Sequence, residues 1–220
     1  MWKVTKTEKI IGILFILAGL FFFISEYITL SHATLPTLQL YIGYSVSELA
    51  VPVGDIYFNI ISTLSPKANL LNNGIVLAGV VILIGNFVAV RKHISEYKPL
   101  FYLITLVLSF GLIIVAAFHT GGPTSEEMHK LGAMMLFFGG SFLLIFIGFF
   151  VTENPLYKNI CLALGFIGLI CGIGFCLIKE DPVFSVYRGI VERGNIYSTI
   201  IWMIITGITL VSSKTISKIE

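Results

Sequence analysis

Between Ile10 and Leu30 the chain places a single charged residue, Glu26. An apolar run of roughly 20 residues is long enough to cross the hydrocarbon core of a bilayer. The pattern recurs five times, at about 70–90, 100–118, 129–151, 160–178 and 196–211. In hydrocarbon every backbone N–H and C=O must find its partner within the segment, so all six runs are expected as helices. Composition agrees. A chain with 12% charged residues, against about 25% in an ordinary soluble domain, cannot cover a water-facing surface. The expected fold class is all-α: a polytopic six-transmembrane-helix bundle forming a single domain over 1–220.

The first run follows the basic segment "MWKVTKTEK", as a signal peptide would, and "SHA" at 31–33 faintly resembles a cleavage site. The run is too long for a signal h-region, so an uncleaved helix is expected. Basic residues orient such bundles. With the N-terminus cytoplasmic, Lys3, Lys6, Lys9, Arg91, Lys92, Lys98, Lys158, Lys214 and Lys218, nine in all, lie inside. Five, Lys67, Lys130, Lys179, Arg188 and Arg193, lie outside. Both termini are therefore expected to be cytoplasmic. Most of the acids lean outward. The net charge of +2 is too small for a nucleic-acid partner; the bilayer is the partner expected.

The connection at about 31–69 is far longer than an ordinary helix–helix link and too apolar to be disordered. In "DIYFNIISTL", residues 55–64, Ile56, Ile60, Ile61 and Leu64 share one helical face. A short interfacial helix is expected there, after a break at Pro52 and Gly54. Cys161, Cys171 and Cys176 share one apolar run and read as small packing residues rather than a disulfide framework. Gly168 and Gly172 form a small-xxx-small pair that lets helices approach closely, within the bundle or between chains.

Buried ionisable groups at mid-membrane mark ion or proton pathways. The middles of the six runs contain none, which argues against a proton-coupled pump. Polar groups gather instead at the outer helix ends: Glu26, Ser47, Glu48, Asn72, Asn73, His119, Glu126, Glu127, His129, Glu192 and Arg193. Glu126 and His129, spaced i, i+3, could share a metal, or the acids could simply complement a helix N-terminus. His119 and His129 lack the close spacing of a one-helix zinc pair. Glu48 or Glu192 beside His129 would suit general acid–base work. Arg193 could contact a lipid phosphate or form a solvated pair with Glu192. Ser47 lacks a nucleophile elbow and reads as a turn or helix cap.

Four segments in order, "SVSELA", "NLLNNGIVLAG", "FHTGGPTSEEMHKLGA" and "GIVERGNIYSTIIW", resemble the membrane family catalogued as domain of unknown function 998. That family carries an S-E-L-G element after its first helix, an F-N-x-G-L type start to its second and a His opening its fourth. A G-x-x-E-R stretch precedes its last helix, which contains a Trp. The resemblance implies a shared fold and places the family's motif positions on Ser47, Glu48, Leu49, Asn73, Gly74, His129, Glu192, Arg193 and Trp202. Ala50 stands where the family has glycine, and His119 where it has glycine or an apolar residue. The chain is also distantly similar to FRAG/DRAM/Sfk-type six-helix proteins tied to lipid handling, an analogy of fold alone.

These readings converge on an outer polar pocket over the bundle. Its expected catalytic residues are Glu48, His129 and Glu192; its expected ligand-binding residues are Ser47, Asn73, Arg193 and His119. The expected activity is to bind or process a lipid or other amphiphile, with a small-solute transporter and a non-catalytic scaffold or sensor as the alternatives.

Overall fold

The computed structural model describes residues 2–57, 60–119, 123–151, 154–179 and 181–215. Six long helices carry the fold: α1 (Lys6–Ser31), α4 (Ala68–Val88), α5 (Lys98–Ala117), α6 (Pro123–Phe150), α7 (Pro155–Ile178) and α8 (Arg188–Ser212). All six are long and apolar enough to cross a membrane. Two short helices, α2 (Thr37–Gly43) and α3 (Val46–Leu49), lie between α1 and α4. The helices form a ring in chain order: α1 packs on α4, each later helix on the next, and α8 closes back on α1. α6 also reaches α8 across the ring.

Glycine allows these close approaches. A Cβ on Gly12 of α1 would stand 2.8 Å from Gly207 O of α8, and one on Gly207 would stand 2.5 Å from Gly12 O. The small-residue pair on α7 is spent in the same way. Gly168 faces Ser141 and Ser198, and Gly172 faces Asn195, so both serve packing within this chain. Outward faces stay apolar, as at Leu17 of α1 and Ile170 of α7, which suits a lipid surround rather than water.

The helices run past the apolar segments. α6, α7 and α8 begin at Pro123, Pro155 and Arg188, several residues before the hydropathy rises. Polar residues such as His129, Glu192 and Arg193 therefore sit on helix faces inside the bundle.

The expected interfacial helix at 55–64 is corrected. The segment holds an antiparallel hairpin, β2 (Ile56–Tyr57) with β3 (Ile60–Ile61). Gly54, at φ +93°, takes a backbone conformation that glycine adopts without strain. The hairpin closes through Gly54 N–H to Ser62 O (2.9 Å) and Ser62 N–H to Asp55 O (2.8 Å). β-branched Ile56, Ile60 and Ile61 favour strand over helix. Asn59 lies outside the described residues.

At the opposite end of the ring, β1 (Lys3–Val4) pairs in parallel with β4 (Lys214–Thr215), so the N- and C-terminal segments share one end. Trp2, fully buried, stacks on the His93 ring with centroids 3.9 Å apart. α1 starts with a capping box in which Thr5 N–H donates to Glu8 Oε2 (2.7 Å) and Glu8 N–H donates to Thr5 Oγ1 (3.3 Å).

Candidate site beneath helix α3

α3 is only four residues long and depends on polar contacts to hold its place. Ser45 caps it: Glu48 N–H donates to Ser45 Oγ (3.1 Å), and Ser45 N–H donates to Glu48 Oε2 (2.7 Å). The cap is therefore Ser45 rather than Ser47, whose hydroxyl lies 3.0 Å from that of Ser45. Two contacts tie α3 to α8. The Arg188 guanidinium grips Glu48 through Nη2 to Oε1 (2.6 Å) and Nε to Oε2 (3.3 Å). The Val46 N–H, at the first position of α3, donates to the buried Glu192 carboxylate at Oε2.

Arg193, one residue on, turns elsewhere. Its Nε donates to Glu26 Oε1 (2.8 Å), and both side chains are within 2% of full burial. Nη1 donates to the carbonyls of Tyr41 and Tyr44 (both 2.8 Å) and of Gly189 (3.0 Å). The guanidinium lies over the Tyr41 ring, 4.6 Å from its centroid, and the Tyr197 hydroxyl donates to Glu26 Oε2 (2.7 Å). Nη2 has no hydrogen-bond partner among the described residues. One buried ion pair thus fastens α1 to α8 and, through the two tyrosine carbonyls, holds α2 and its C-terminal turn.

Beneath α3 is a cavity of about 20 Å³, counted as room for the centre of a water-sized sphere. That is space for a water or a group of similar size. Phe22, Ile75, Leu112, Val115, Leu136, Phe137 and Ile196 supply apolar walls. Val46 and Ser47 form the α3 side, and His129 and Glu192 are the ionisable lining groups. His129 Nδ1 lies 3.1 Å from Phe118 O. A carbonyl only accepts, so Nδ1 carries a proton and donates it there.

Of the residues singled out in the sequence, Ser47, His129 and Glu192 line this one cavity. Glu48 and Arg193 lie beside it in separate ion pairs. His119, half-buried after α5, sets Nδ1 2.6 Å from Ala116 O. Asn73 is exposed on α4, while its neighbour Asn72 is buried and donates from Nδ2 to Ala50 O (2.7 Å). Glu126 is half-buried in the first turn of α6. Among the described residues no three His, Cys, Asp or Glu side chains are grouped to hold a metal ion.

Arg188 was not among the residues singled out in the sequence, and of the adjacent Asn72 and Asn73 it is Asn72 that turns inward. The signal for Asn72 was present. Leu71, Ile75, Ala78 and Ile82 define the inward face of α4, and residue 72 falls at its edge while 73 turns away.

The family described as protein of unknown function, DUF998, matches residues 16–209. The chain belongs to this family. The match starts within α1 and ends within α8, so the cavity, α3 and both arginine–carboxylate pairs lie inside the DUF998 region. Trp2, Glu8 and the β1–β4 pair lie outside it. Comparison with curated proteins and with solved structures returned no match.

Proposed function

We propose that this DUF998 protein binds the polar head of a lipid or other amphiphile in the cavity beneath α3, on the extracytoplasmic side of the cell membrane. One observation carries the reading: Ser47, His129 and Glu192 line a single cavity whose other walls are apolar. A hydroxyl, an imidazole and a carboxylate offer an amphiphile's head hydrogen bonds, and the apolar walls suit the first carbons of its chain. The side assignment follows from the basic residues: among the described residues, Lys3, Lys6, Lys9, Arg91, Lys92, Lys98, Lys158 and Lys214 fall at the end bearing the termini or in its connections. His129 donates Nδ1–H to Phe118 O, which fixes its ring at the cavity wall. Glu192 is a carboxylate lining the same cavity. That pairing would suit proton movement at the bound head as well as binding.

The cavity of about 20 Å³ accepts a head group only. A chain must leave between helices, or α3 must lift. α3 is the movable wall on this reading, because four residues held by Glu192 and Arg188 are the smallest element around the cavity. The transporter alternative has less support, since mid-bundle Asn195, Ser198 and Thr206 bond to protein carbonyls and serve helix packing.

The test is photo-crosslinking of the purified chain in lipid nanodiscs with a long-chain diazirine probe, mapped by peptide. Labelling is expected on Val46–Ser47 and on 129–137, and is expected to disappear in Ala133→Phe, which fills the cavity. Labelling confined to lipid-facing positions such as Ile170, unchanged in Ala133→Phe, would sink the proposal.

A further inference from the structure

The charges around the cavity do not balance, and the imbalance defines its ligand. Where α3 meets α8, Arg188, Arg193, Glu26, Glu48 and Glu192 are buried or half-buried. Arg193 is neutralised by Glu26 at 2.8 Å and Arg188 by Glu48 at 2.6 Å. Glu192 is the third carboxylate. It is 3% exposed, it makes no salt bridge among the described residues, and the contact it does make is with a backbone dipole, Val46 N–H. A carboxyl taken out of water without a paired cation is relieved in one of two ways, by holding a proton or by gaining a cation. Unlike Glu26 and Glu48, Glu192 lines the cavity.

We infer that the cavity receives a primary amine: the ammonium head of a long-chain amphiphile, paired with Glu192. This rests on the reading of the cavity as an amphiphile site and names the head group it selects. Three points agree. The group left without a salt-bridge partner is an acid, so a cationic head gains a counter-charge there and an anionic head gains none. The arginines that would attract a phosphate are each committed to a carboxylate. The volume of about 20 Å³ is that of a water-sized group, which an ammonium matches as a compact three-donor cation, while a phosphate or a trimethylammonium exceeds it.

The test is competition against the same crosslinking probe, using dodecylamine, dodecyltrimethylammonium and dodecyl phosphate on the full chain in nanodiscs. Dodecylamine is expected to displace the probe at a concentration about tenfold or more below the other two, the factor a charge-assisted hydrogen bond supplies. Glu192→Gln keeps an acceptor for Val46 and is expected to erase that preference. Should the variant fail to fold, amine against trimethylammonium on the unaltered chain still decides, because the two share charge and chain and differ in size and donors. Equal competition by those two overturns the inference. Stronger competition by the phosphate also overturns it and points to Arg193 Nη2 as the recognising group, while leaving the amphiphile site standing. Absence of any cavity labelling to compete for removes the site, and the inference with it.

Discussion

Glu8 at one end of the bundle and Glu192 at the other are both buried, and the two are treated differently. At the end carrying the termini, Glu8 is 1% exposed and closely attended. Thr5 donates to it from both its N–H (2.7 Å) and its hydroxyl (2.6 Å). Lys92 Nζ stands at 3.5 Å and His93 Nε2 at 3.7 Å. Trp2 closes over His93 and meets the Tyr157 ring edge-on, and the Tyr157 hydroxyl accepts from Trp202 Nε1–H (2.9 Å) and pairs with Thr206 (2.7 Å). At the α3 end, Glu192 has a backbone N–H and an opening. The first carboxylate is built into a joint through Oε2, while its Oε1 has no hydrogen-bond partner among the described residues. The second faces space that something else can fill. A buried charge marks a site when its surroundings leave it under-answered, and burial alone does not distinguish the two cases.

Four substitutions would break or sharpen that contrast. The largest effect is expected at the α3 end, though not at Glu192. Arg193→Ala leaves Glu26 buried without its cation and removes the tie to the Tyr41 and Tyr44 carbonyls, a loss of about 3–5 kcal/mol. Thermal unfolding of the detergent-purified variant reads it; a melting temperature within a degree or two of the parent would show that the pair does not fasten α2. Trp2→Ala comes next. It vacates a fully buried aromatic seat at a loss of about 3 kcal/mol, and it should expose the terminal segments to limited proteolysis. Equal protease resistance in parent and variant would mean that Trp2 does not pin them. Glu8→Gln weakens the capping box and the attraction to Lys92 and His93 and should lower stability by about 1–2 kcal/mol, again seen by melting. Smallest is Glu192→Gln. It removes a poorly compensated buried charge while keeping an acceptor for Val46, so stability should stay within about 1 kcal/mol of the parent or rise. A loss as large as that at Glu8 would mean that Glu192 is part of a joint too, and the contrast between the ends would collapse.

The sequence announced the six helices because lipid enforces one pattern: long apolar runs with charges at their ends. It also indicated that polar chemistry gathers at one set of helix ends. Residue-level placement was less legible. Hydropathy marks where lipid begins and not where a helix begins, so α6 starts before His129, which was expected to open it, and Glu192 and Arg193, expected to precede the sixth run, lie within α8. Pairing across the ring is a tertiary matter. Nothing local in the chain joins Glu26 to Arg193, 167 positions apart, or Glu48 to Arg188, 140 apart. The hairpin at Ile56–Ile61 shows the opposite failure: a helical spacing of isoleucines was present, but β-branching and the turn at Gly54 outweighed it. The seat of Trp2 gave no sign beyond a tryptophan in a basic segment, which membrane-interface anchoring explains equally well.

Native mass spectrometry of the chain released from its own membrane tests the central claim most directly, with the unaltered protein and Glu192→Gln run side by side. The account expects the unaltered protein to retain an amphiphile of defined mass bearing a primary amine, and the variant, folded to the same extent, to have lost it. The same adducts on both proteins, or an adduct of phosphate type on the unaltered chain, would contradict the assignment of Glu192 as the group that holds the ligand.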